Sequence, residues 1–252
     1  MLEIFSVHIS TFNQDRKIRV YTPKDYQKEN KRYPVLYMHD GQNVFRDCDA
    51  IGGISLSLEN YLNENSLEVI VVGIDQNSEE RINEYCPWIH GKYSEKILGY
   101  YCDQGGKGMA YVDFITHELK PLIDQKYRTL IDYTAMGGIS LGGLISVFAA
   151  CRYPHIFKNI VALSSAFWRN QEEMEKLLKN SDMSPIESFY MDWGDKEGKG
   201  EMINREFLFS NQSIFNILKE KIPHIKSNFI NGGEHSYMFF RERVPEIFSF
   251  LK

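Results

Sequence analysis

The stretch Tyr133-Thr-Ala-Met-Gly-Gly-Ile-Ser-Leu-Gly-Gly143 constrains this chain more than any other. It contains Gly138-x-Ser140-x-Gly142, a pattern that sets a serine on a strained turn between a strand and a helix. Glycines flank the serine because backbone and helix pass so close that a Cβ at either flank would collide. The pentapeptide alone is common enough to arise by chance. Its context is less common: an apolar, strand-like approach precedes it, and Leu141 to Tyr153 follows with helical spacing through Leu144, Ile145, Phe148 and Ala149. The plainer alternative is a Gly-rich turn opening an ordinary buried helix. Partners for the serine at other strand ends decide between the two.

A chain of 252 residues suits a single α/β domain over 1–252, and nothing in it marks a linker. The net charge of −5 argues against a nucleic-acid binder and offers no general attraction to anionic membranes. The longest strongly apolar run, Val69 to Ile74, is far too short to span a bilayer, and Glu3 stands where a signal peptide wants positive charge. Cys48, Cys86, Cys102 and Cys151 form no C-x-x-C pair, so they read as free thiols and the expected compartment is the cytoplasm. There is no H-E-x-x-H, no clustered metal ligands and no phosphate-cradling G-x-x-x-x-G-K-[ST]. Neither metal nor cofactor is expected.

Taken in order, residues 2–10 and 15–21 read as an opening hairpin around Asn13-Gln14-Asp15. Tyr33 to His39 is a continuous apolar run, as in a strand buried on both faces, and Glu68 to Ile74 is another. Helix-like spacing lies between them, around Ile54 to Leu62. Residues 75–108 are polar and aromatic and read as a long loop that caps or lines a pocket. Tyr111 to Asp124 is an amphipathic helix kinked at Pro121. Beyond the Ser140 turn come strands at 159–164, 189–193 and 225–230, alternating with helices at 172–178 and 207–219, and a closing helix at 244–251. That alternation predicts a mostly parallel sheet with helices on both faces.

In such sheets, ligands gather beyond the carboxyl ends of the strands. Asp40-Gly41-Gln42 follows the strand 33–39, where the backbone amide of Gln42 can serve as one oxyanion donor, with the amide of Leu141 as the other. Asp192, Asp195 and Glu197 crowd the end of strand 189–193, and any of them can hold an imidazole. His235 lies in the loop after strand 225–230 and completes the chain order Ser…acid…His. The other histidines compete poorly. His8, His90, His117, His155 and His224 lie away from the predicted edge, and His39 suits a supporting role.

At this point the sequence resembles the esterase D family of α/β-hydrolases, which includes siderophore esterases, feruloyl and acetyl esterases, and S-formylglutathione hydrolases. The likeness rests on Tyr33-Pro-Val-Leu-Tyr-Met-His-Asp-Gly-Gln-Asn43, Tyr111-Val-Asp-Phe-Ile115, Gly138-Ile-Ser-Leu-Gly-Gly143, Asp192-Trp-Gly-Asp-Lys-Glu197 and Gly232-Gly-Glu-His235. It implies the α/β-hydrolase fold and carboxylic-ester hydrolysis through Ser140, Glu197 and His235, the acid being the third residue after Gly194. It also implies a small-molecule ester as the partner. Phe167-Trp168 resembles an aromatic pair of the siderophore esterases, and with Trp88 these residues are the expected substrate contacts, favouring short or aromatic acyl groups. An acyltransferase, a siderophore trilactone esterase or a catalytically silent binding protein would fit the same scaffold. The oligomeric state, monomer or homodimer, is left open.

Overall fold

The computed structural model describes residues 1–89 and 91–248. Among these residues, eight strands form one sheet: β1 (Leu2–Ile9), β2 (Gln14–Tyr21), β3 (Tyr33–His39), β4 (Ile70–Ile74), β5 (Thr129–Ile139), β6 (Phe157–Leu163), β7 (Ser188–Lys196) and β8 (Ile225–Glu234). Their spatial order is β1-β2-β4-β3-β5-β6-β7-β8. Pairing is antiparallel from β1 to β2 and from β2 to β4, and parallel from there to β8.

The crossovers carry the helices. α1 (Leu58–Glu64) joins β3 to β4. Between β4 and β5 lie α2 (Arg81–Tyr85), α3 (Lys92–Leu98), α4 (Gly108–Phe114) and α5 (Lys120–Lys126). α6 (Leu141–Arg152), α7 (Gln171–Asn180) and α8 (Glu201–Leu218) follow β5, β6 and β7, and α9 (Tyr237–Glu242) and α10 (Val244–Ile247) come after β8. Successive side chains of a strand face opposite ways, and the core divides accordingly. Val35 and Tyr37 of β3 pack with Tyr111, Leu144, Met174 and Phe207 from α4, α6, α7 and α8. Leu36 and Met38 pack on the other face with Leu58 and Leu62 of α1, Phe240 of α9 and Val244 of α10. Helices therefore cover both faces, which is why the central strands read as unbroken apolar runs.

Three sequence expectations need correction. The long segment 75–108 is not structureless: α2 and α3 lie in it, the latter capped by Gly99 in the left-handed region at φ 76°. Pro121 does not simply kink one helix. Residues Ile115–Leu119 form a π-helical turn between α4 and α5, and Pro121 falls in the first turn of α5, where its missing N–H costs little. β7 and β8 run beyond their apolar cores, to Lys196 and Glu234, which pair with each other. Of the closing helix expected over 244–251, Val244–Ile247 is helical. Residues 249–251 lie outside the described residues, as does His90.

Candidate active site

The parallel strands end at one edge of the sheet, and the residue after each end is polar. Asp40 follows β3, Asp75 follows β4, Ser140 follows β5, Ser164 follows β6, Glu197 follows β7 and His235 follows β8. Register then does the assembling. Because Lys196 pairs with Glu234, Glu197 and His235 leave adjacent strands side by side.

Ser140 holds φ 60° and ψ −119°, a conformation that costs a non-glycine residue about 1–3 kcal/mol unless its surroundings over-determine it. Here they do. The Ser140 N–H donates to the Leu163 carbonyl at 3.0 Å, and the Ser140 carbonyl accepts from Gly143, Leu144 and Ala166 at 3.0–3.2 Å. A Cβ on Gly138 would stand 2.5 Å from the Gly142 carbonyl carbon, and one on Gly142 would stand 3.2 Å from the His39 Cβ. The turn after β3 thus packs directly against the serine turn. Leu141 opens α6, so its N–H has no acceptor within that helix. Gln42 lies in the short 3-10 turn Gly41–Asn43, whose N-cap Asp40 has φ 57°. Among the described residues, neither the Gln42 nor the Leu141 N–H has a hydrogen-bond acceptor.

Glu197 is buried, and its two oxygens have separate tasks. Oε2 meets His235 Nδ1 at 2.7 Å, and Oε1 accepts from the Ser164 hydroxyl at 2.6 Å and the Gly194 N–H at 2.7 Å. Burial pushes this carboxyl up, but the His235, Ser164 and Gly194 contacts together outweigh burial and hold it below its ordinary value. It is ionised at neutral pH and acts only as an acceptor. The His235 ring stands edge-on to Phe207 and Phe240, with centroids at 5.8 and 5.2 Å. The neighbouring acids are engaged elsewhere. Asp195 Oδ1 accepts from the Gly232 N–H at 2.7 Å, and fully buried Asp192 pairs with Arg243 at 2.7 Å.

Ser140 and His235 line one cavity of about 270 Å³. Its other walls come from residues that sequence reasoning did not single out, among them Arg81, Gln76, Ile51, Tyr237 and Phe240. Arg81 grips Asp40 through two hydrogen bonds of 2.7 and 2.8 Å, and the Tyr237 hydroxyl accepts from Asn43 Nδ2 at 2.9 Å. Gln76 and Arg81 belong to the segment expected to line a pocket. The three aromatic residues expected to touch substrate are not in this lining. Phe167 is 0 % exposed, in the core. Trp88 packs edge-on against Phe148 of α6 at 5.4 Å, and Trp168 lies under the Arg169 guanidinium at 4.5 Å. Burial of apolar area claims such rings before a ligand does.

His39 accompanies the site from beneath. Its Nδ1 lies 3.0 Å from the Tyr111 hydroxyl, and burial pushes its pKa down to about 4, so it is neutral at pH 7. The four cysteines are unpaired, and burial pushes the Cys86 and Cys151 thiols up to about 12, which leaves them inert. Among the described residues, no three His, Cys, Asp or Glu side chains are grouped to hold a metal ion. None of the described helices is long and apolar enough to cross a membrane.

Comparison with known proteins gives the family and the fold. A family model described as "Esterase: Putative esterase" matches residues 9–251. The uncharacterized protein YbbA of Bacillus subtilis is 29% identical over 233 residues, covering 90% of this chain and 88% of that protein. An IroE-like serine hydrolase from Shewanella oneidensis superposes with a TM-score of 0.76 at 19% identity, covering 95% of this chain and 76% of the other. The siderophore hydrolase EstA from Aspergillus nidulans gives 0.72 at 15% identity, covering 100% and 95%. At these identities the two structures show a shared fold.

Proposed function

The chain belongs to this esterase family and is an ester hydrolase, and from that premise we propose a serine mechanism centred on Ser140. The Ser140 Oγ attacks the acyl carbonyl carbon while His235 Nε2 takes its proton. Glu197 holds the Nδ1–H and stabilises the imidazolium that forms. The Gln42 and Leu141 amides receive the charge that develops on the carbonyl oxygen, each such donor being worth about 3–4 kcal/mol of transition-state stabilisation. His235 then protonates the leaving alcohol, whose C–O bond breaks to leave an acyl-serine. Water, deprotonated by His235, releases the acid and restores Ser140. The single observation that carries this reading is the 2.7 Å contact between Glu197 and His235 beside the cavity that Ser140 lines.

For substrate, the reading is an ester with a short or aromatic acyl group. A cavity of about 270 Å³, walled by Tyr237 and Phe240, supports a compact or flat group over an extended lipid chain. Structural relatives named as a serine hydrolase and a siderophore hydrolase support hydrolysis of a small-molecule substrate by a serine enzyme. A fluorophosphonate probe should label Ser140 alone, since only an activated serine is nucleophilic at neutral pH. Ser140→Ala should abolish labelling and turnover of a short p-nitrophenyl ester while the fold persists. A folded alanine variant with wild-type turnover would defeat the mechanism.

A further inference from the structure

Behind the Glu197–His235 contact lies a second layer of polar groups, all buried. Ser164 is fully buried and holds φ 41°, in the left-handed region. Its N–H donates to the Asp192 carbonyl at 2.9 Å and to Asp192 Oδ1 at 3.2 Å. Its hydroxyl lies 2.6 Å from Glu197 Oε1 and 3.0 Å from Arg243 Nη1. The same Arg243 Nη1 donates to Asp192 Oδ1 at 2.7 Å, and the Tyr190 hydroxyl donates to Asp192 Oδ2 at 3.1 Å. Arg243, at the junction of α9 and α10, closes the network from the segment that carries His235.

The chemistry of these groups fixes the direction of every bond. Arginine can only donate, and an ionised carboxylate can only accept. The Ser164 oxygen therefore accepts from Arg243, and its one proton goes to Glu197. We propose that Ser164 and Arg243 are positioning residues for Glu197: a one-way chain from Arg243 through the Ser164 hydroxyl pins Oε1, so that Oε2 alone meets His235. This rests on the reading of Glu197 as the acid of the mechanism above. Asp192 has its own part. It compensates the guanidinium charge, so the chain delivers orientation to Glu197 without an unpaired buried cation. The need for both carboxylates at the end of β7 follows from this division.

A double-mutant cycle tests the proposal. Glycine adopts φ 41° without strain, so Ser164→Gly removes the hydroxyl and keeps the turn. It should lower kcat about ten- to a hundredfold with KM within about twofold, the pattern of an interaction that acts in the transition state. In a Glu197→Gln background, the same change should alter kcat by less than about twofold, because position 197 then has no ionised oxygen for Ser164 to aim at the imidazole. Equal losses in both backgrounds would make Ser164 a structural residue and overturn the proposal, as would unchanged kcat in Ser164→Gly alone. Wild-type turnover by Glu197→Gln would instead overturn the mechanism on which the proposal stands. The charge-neutral pair Arg243→Gln with Asp192→Asn provides an independent arm. Its kcat loss should likewise vanish in the Glu197→Gln background, and an additive loss would remove Arg243 from the chain.

Discussion

Asp192, Asp195 and Glu197 bring three carboxylates to the end of β7 within six residues, and their partners separate them. Asp192 is buried and faces Arg243; Asp195 holds the Gly232 N–H near the end of β8; Glu197 faces the imidazole itself. Glu197→Gln should therefore cost on the order of 10⁴ in kcat, the scale seen when a triad acid is replaced by its amide. Asp195→Asn should cost about tenfold or less, since one hydrogen bond to Gly232 is at stake. Steady-state rates on one ester at one pH compare them directly, and the reverse ranking would move the role to Asp195. Ser140 and His235 could be singled out from sequence because each stands near the end of a recognisable apolar run, whereas position alone left three acids open and only the family resemblance pointed to Glu197. Arg81, Tyr237 and Phe240 could not. Arg81 meets Asp40 across 41 positions and Tyr237 meets Asn43 across 194, and no local pattern encodes such contacts. Trp88 and Phe167 misled for the opposite reason: an aromatic residue near a site in sequence is as ready to fill the core.

Among the elements, β5 and α6 depend on each other at one point. The close approach of Gly138 to Gly142 lets the chain reverse within a residue of Ser140. Gly138→Ala should destabilise the protein by about 3 kcal/mol, because the new methyl would meet backbone that cannot move aside. Gly142→Ala, facing side-chain atoms of His39 and Asp40 at 3.2 Å and beyond, should cost distinctly less. Urea midpoints would rank the two, and equal losses would remove the Gly138 approach as the special feature. β3, β4 and β6 were legible as continuous apolar runs because both their faces are covered. α2 and α3 were not, since helices this short are marginal by themselves. Tertiary pairs hold α2: Arg16 grips Glu84 at 2.8 Å, and Asp40 grips Arg81. Such support is invisible to periodicity.

At the scale of the whole molecule, buried ionisable groups set how stability follows pH. The folded His39 pKa of about 4 lies below the ordinary 6.5, so the unfolded chain takes up that proton first as pH falls. The stability His39 contributes is complete above pH 6.5 and is lost as pH falls toward 4, about 3 kcal/mol in all. Asp192 works in the other direction, because burial raises its pKa from 3.8 to about 6 and its contribution is lost as pH rises through that range. Denaturant titrations from pH 4 to 7 should therefore show a shallower slope than His39 alone would give. Replacing it by His39→Gln should leave stability falling as pH rises, and an unchanged slope would assign the effect elsewhere. β8 raises a different matter. Among the described residues it pairs on one side only, with β7, and residues 226–229 are exposed, yet His235 hangs from its end. Strands so placed open locally at a fraction of the global unfolding free energy. Amide hydrogens of β8 should exchange faster than those of β3 to β6, and on warming, ester turnover should fade before the far-ultraviolet signal of the sheet. Coincident curves would refute this. The working lifetime of the enzyme would then be governed at its rim, and longer life at high temperature would come from bracing the solvent face of β8, with the interior left untouched.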